Sequence, residues 1–86
     1  MLKLGQVVAT PNVLEQVSKV ELTFCLARHK QGDWGILSDG DIKANELALQ
    51  NGARILSSYE SSTGIKFWII TEADRSVTTM LLPEDY

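Results

Sequence analysis

The stretch from Arg54 to Pro83, RILSSYESSTGIKFWIITEADRSVTTMLLP, limits what this chain can fold into more than any other. It alternates, breaks at a glycine-containing loop, alternates again, breaks at a charged turn and closes in a β-branched run. Period-two alternation is the pattern of strands, and loops this short join antiparallel neighbours. The expectation is a C-terminal antiparallel β-meander over about residues 54–60, 65–71 and 76–82. Ile55, Ser57 and Tyr59 share one face of the first strand, with Leu56 and Ser58 on the other. Ser61 to Gly64 form the hairpin loop, with Gly64 free to turn left-handed. The middle strand, Ile65 to Thr71, is apolar both ways: Ile65, Phe67 and Ile69 on one face, Trp68 and Ile70 on the other. Such a strand is central and covered on both sides. Helices can take one face. The other is left to a partner subunit, or to a cleft lined by Trp68.

The upstream half reads as the cover. Leu4 to Ala9 fits a short strand. Thr10-Pro11 then starts a helix, with Thr10 as cap and Pro11 at the first helical position, and Val13, Leu14 and Val17 fall on one face. Ser18 and Glu21 have capping-box spacing. The stripe Leu22, Cys25, Leu26 and His29 follows at helical intervals, although Val20, Leu22, Phe24 and Leu26 also alternate as a strand would. Helix is preferred for residues 20–30 on the cap, the length and the stop at Gly32. Gly32-Asp33-Trp34-Gly35 forms a tight loop that holds an indole in one place. Ser38 caps a further helix running to Asn51, with Gly52 beyond its end. Ile42, Asn45 and Leu49 mark one edge of its buried face, and Ala44, Leu47 and Ala48 the other. The whole is a single α+β domain, residues 1–86, with a short N-terminal strand and two or three helices before the meander.

Eighty-six residues build one small core, so burial of a sheet face or edge against a copy is a reasonable expectation, and a homo-oligomer follows. Eight Lys and Arg against eleven Asp and Glu give a net charge of −3. Phosphate-backbone binding normally carries a basic excess, so nucleic acid is not favoured as a partner. No apolar run approaches the roughly 18 residues of a membrane span, and the first residues are too weakly patterned for a secretory signal. No membrane partner and a cytoplasmic location are expected. The lone Cys25 sits in an apolar run and reads as a small core hydrophobe.

The chemistry-bearing residues are few. His29 is the only histidine. It ends an apolar stripe near a helix C-terminus, where the dipole favours the imidazolium, and the preferred reading is a half-buried histidine bonded to a backbone carbonyl rather than an acid–base group. Asp33, Asp39 and Asp41 cluster around Trp34, but helix capping explains Ser38 and Asp41 without a metal, and neither a metal nor a cofactor is expected. Trp34, Trp68 and Tyr59 can form an aromatic surface for a planar ligand. Asp74 and Arg75 occupy the last turn, followed by hydroxyls at Ser76, Thr78 and Thr79. A small ribonuclease uses such side chains to hold and polarise a phosphate. A turn ion pair before ordinary β-prone threonines is the preferred reading, because the spacing matches no specific motif.

Two longer segments carry a resemblance: RHKQGDWG, Arg28 to Gly35, and WIITEADRSVTTMLLPEDY, Trp68 to Tyr86. With the intervening RILSSY, they make the chain similar to a family of small bacterial proteins carried on plasmids, integrated elements and integron gene cassettes. One departure is Ser38-Asp39-Gly40-Asp41, where the family more often has an acidic run, and Gly40 there is expected to loosen the helix start. The resemblance implies a mobile-element setting and an accessory role without a mechanism. The leading expectation is therefore a non-enzymatic accessory protein, acting as a homo-oligomer, that binds a protein or small molecule through Asp33, Trp34, Trp68, Asp74 and Arg75. The alternative is a small nuclease or nuclease-like toxin using His29, Arg75 and Thr78.

Overall fold

The computed structural model describes residues 2–86. It has β1 (Gln6–Ala9), α1 (Pro11–Gln16), α2 (Lys19–Lys30), α3 (Asp39–Asn51), β2 (Ile55–Glu60), β3 (Lys66–Thr71), β4 (Val77–Leu81) and a closing 3-10 turn at Pro83–Asp85. The expected α+β architecture is present, with each meander strand starting within a residue of where the alternation places it. The sheet order is β1-β4-β3-β2, antiparallel through the meander and parallel where β1 joins β4. A parallel neighbour needs a long crossover, and α1 to α3 lie within it.

Local chemistry sets the boundaries. Thr10 accepts from the Val13 amide and Pro11 opens α1. Ser18 Oγ accepts from the Glu21 amide, and the open helix-or-strand choice for residues 20–30 resolves as helix. Ser38 caps α3 in the same way, so Gly40 does not prevent an ordered start, and Gly52 ends the helix at φ 75°. Gly64 closes the β2–β3 hairpin at φ 84°.

The register gives the sheet two different faces. Ile55, Ser57 and Tyr59 of β2 lie beside Thr71, Ile69 and Phe67 of β3, and then beside Thr78 and Met80 of β4. Helix residues pack here. Val13, Val17, Leu22 and Cys25 join Tyr59, Phe67, Ile69 and Met80 in one cluster. Ala48 and Ile42 join Ile55, Trp34 and Leu2 in a second. Among the described residues, Leu56, Trp68, Ile70 and Leu81 of the opposite face belong to neither cluster.

Four expected core positions are corrected. Leu14 is half exposed, because a six-residue helix turns only Val13 fully inward. In α3 the buried residues are Asn45 and Ala48, with Ile42 half-buried, while Ala44, Leu47 and Leu49 face out. The reason is that α3 lies along the edge of the sheet rather than across it. Asn45 donates from Nδ2 to the Leu56 carbonyl (2.8 Å) and accepts from the Leu56 amide (3.2 Å). A polar side chain serves here as a neighbouring strand.

Candidate functional site

His29 has no exposed surface. Its Nδ1 meets Ser57 Oγ, and its Nε2 lies 2.8 Å from Thr71 Oγ1. Thr71 Oγ1 is 2.7 Å from Thr78 Oγ1, which donates to the Leu4 carbonyl at 2.7 Å. A carbonyl only accepts, so the Thr78 proton points at Leu4. Thr71 must then donate to Thr78, and His29 Nε2–H must donate to Thr71. Nδ1 is left to accept from Ser57. The tautomer is fixed by the far end of the chain of bonds, and every member is satisfied. Burial pushes the imidazole pKa down to about 4, overriding the helix dipole expected to favour the cation. His29 therefore ties α2 to β2, β3, β4 and the N-terminal segment as a neutral core residue.

Arg75 is also occupied structurally. It takes φ 62° in the turn after β3, and its guanidinium donates to the carbonyls of Ala48 (2.9 Å), Ala53 (2.7 Å) and Glu72 (3.1 Å). It closes the C-terminal end of α3. Asp74 does not pair with it, as the turn reading expected. Its Oδ1 accepts from the Ser76 amide and hydroxyl, which holds the carboxyl pKa below the usual range. Nuclease chemistry asks for His29 and Arg75 in one open cleft. The structure instead seals one in the core with Thr78 and directs the other at backbone carbonyls.

The loop after α2 is built around Trp34, which is buried. Its carbonyl accepts from the Ser58 amide, and the Ile36 amide donates to the Ser58 carbonyl, so the loop pairs with the outer edge of β2. Gly35 allows this at φ 72°, pressed against Ser58 and the Tyr59 ring. Tyr59 Oη donates to the Asp33 carbonyl, and burial pushes its pKa up to about 12. Asp33 accepts two bonds from Arg28 (2.8 and 3.2 Å), whose guanidinium lies 4.9 Å from the Tyr59 ring centroid. That hydrogen bond lowers the Asp33 pKa and raises that of Arg28. The Trp34 indole is thus packed on its own chain. Its Nε1 is the one buried side-chain polar atom without a partner among the described residues.

Trp68 is different. It is half-buried on the face away from the helices, with the Tyr86 ring edge-on at 6.0 Å and the Arg54 guanidinium 5.3 Å from Tyr86. Of the expected aromatic surface, Trp34, Tyr59 and Trp68 do not come together. Asp33 lies at the α2 end, and Asp74 and Arg75 at the β3–β4 turn. Asp39 and Asp41 stay in the exposed first turn of α3. No group of three potential metal-binding side chains converges among the described residues.

Two of the most exposed large apolar side chains lie together on α2, outside the stripe expected to be buried. Val20 is 79% and Phe24 66% exposed, one turn apart on the outer side of α2. Thr23 and Ala27 continue that exposed face. A shallow depression of about 460 Å³ is lined by Lys19, Val20, Thr23 and Phe24. A second, of about 400 Å³, runs from Phe24 and Arg28 to Glu60 and Ser62. The signal was present in the sequence: with Leu22, Cys25 and His29 inward, helical spacing sends Val20 and Phe24 outward. Lys19 borders the first depression and Arg28 the second. Glu21 is turned aside, accepting from the Ser62 amide at 2.7 Å.

Comparison with protein-family models, curated proteins and solved structures returned no match. No helix among the described residues is long and apolar enough to cross a membrane.

Proposed function

We propose that this chain is a non-enzymatic accessory protein that binds another protein through the outer face of α2. The observation that carries the reading is the exposure of Val20 and Phe24 on a helix whose opposite side is locked into the core. Large apolar side chains left adjacent on a rigid helix mark a contact surface. The side chains that would serve catalysis are occupied by structural bonds. The partner that fits is an amphipathic segment with an acidic residue beside its apolar stripe, because Lys19 borders the apolar depression. A cytoplasmic accessory role on a mobile element, the setting implied by the resemblance, suits such a module.

The experiment is an amide NMR titration of the labelled protein with a synthetic amphipathic helix of Leu and Glu. Shifts confined to residues 19–31 and the Glu60–Ser62 rim support the reading. Shifts confined to the Trp68–Tyr86 face, or none at millimolar peptide, reject it.

A further inference from the structure

The two edges of the sheet are treated differently. The β2 edge is sealed: the Leu56 amide and carbonyl pair with the Asn45 side chain, and those of Ser58 pair with Trp34 and Ile36. The β1 edge is not sealed in this way. The Gln6 amide donates to Ser76 and the Thr10 amide to Met80, so in this parallel ladder the even-numbered residues face β4. The amides and carbonyls of Val7 and Ala9 therefore point away from the sheet. The strand reads QVVA, with none of the charges or prolines that usually blunt an edge, and Val7 and Val8 are 39% and 38% exposed.

We propose that β1 is the self-association surface: a second copy pairs with it antiparallel and joins two four-stranded sheets into one of eight strands. This surface is separate from α2, and neither reading depends on the other. With Val8 opposite Val8 of the copy, Val7 and Ala9 exchange backbone bonds with Ala9 and Val7 across the two-fold axis. The cross-strand row Leu56, Ile70, Thr79 and Val8 then continues into the same row of the copy. Charge selects the direction. Exposed Lys3 precedes the N-terminal end of β1, and Asp85, held by Thr10 (2.7 Å) and Asn12 (2.7 Å), stands with Glu84 at its C-terminal end. Antiparallel pairing brings the basic end of one copy toward the acidic end of the other, whereas parallel pairing sets like against like.

Sedimentation of the full chain at about 100 μM should show a dimer. Val7→Pro removes an amide that the monomer's own ladder does not use, and should weaken association by about tenfold or more. Val8→Cys should give a disulfide-linked dimer under mild oxidation, since facing antiparallel residues lie within bridging distance. Val20→Cys, on α2, should not, and Cys25 is buried and silent. If Val7→Pro fails to fold by circular dichroism, the Val8→Cys cross-link decides alone. A monomer at that concentration overturns the proposal, as does a dimer that forms no Val8→Cys cross-link.

Discussion

His29 Nε2 lies 2.8 Å from Thr71 Oγ1, joining the last turn of α2 to an interior strand of the sheet. With a native pKa near 4 against an ordinary 6.5, the imidazole is neutral in the fold down to about pH 4, while the unfolded chain takes up its proton from pH 6.5 downward. The stability this provides is complete above pH 6.5. It is lost progressively as pH falls to 4, by about 3 kcal/mol. Urea unfolding at pH 7 and pH 4.5 measures the loss. His29→Gln should abolish the pH dependence in that window, and His29 is the only histidine to which it can be assigned. It should also cost about 2–4 kcal/mol at pH 7, because Ser57 and Thr71 lose their shared partner. Below pH 4 a separate loss begins, as Asp33, Asp74 and Asp85, all with lowered pKa values, become protonated.

Gly35 and Gly64 both have positive φ, but they should respond differently to alanine. A Cβ at Gly64 meets nothing within 4 Å, so Gly64→Ala should cost about 1 kcal/mol from backbone strain alone. At Gly35 it would run into the Ser58 carbonyl and the Tyr59 ring. Gly35→Ala should cost several kcal/mol, about 3 or more, and loosen the loop that covers β2. Paired thermal melts of the two variants are the check.

Asn45 replaces a strand along the β2 edge. Asn45→Leu keeps the size and removes both bonds to Leu56, leaving a backbone donor and acceptor without partners. A loss of about 2–4 kcal/mol is expected. Hydrogen exchange at the Leu56 amide should accelerate more than at Ile69, which is interior to the sheet. Equal acceleration at both sites would mean that Asn45 acts on global stability and not on the edge.

Much of this was legible in the sequence. Alternation placed β2, β3 and β4 because each is buried on a face of period two, and Thr10, Ser18 and Ser38 marked helix starts because capping is local chemistry. The stripe through Leu22, Cys25 and His29 is the buried side of α2. The errors lie where tertiary context decides. Leu47 and Leu49 look like core, but a helix set along a sheet edge buries Asn45 and Ala48 instead. Asp33, Trp34 and Arg75 looked available for binding. Their roles depend on partners such as Arg28, Ser58 and the Ala48 carbonyl, which sequence spacing does not reveal. Val20 and Phe24 entered the sequence reading only through the competing strand alternation with Leu22 and Leu26, so the exposed side of the helix was not weighed as a surface.

We propose that α2's outer face is the working surface and that the buried polar chain is scaffold. One paired measurement separates the two: affinity for the Leu and Glu amphipathic peptide, with stability, in Val20→Glu/Phe24→Glu and in His29→Gln. The surface variant should lose binding by about thirtyfold or more, while each exposed replacement shifts stability by only about 0.5 kcal/mol. His29→Gln should bind like the wild type at pH 7 while melting several degrees lower. Unchanged binding in the surface variant, or binding lost in a folded His29→Gln, would contradict the claim.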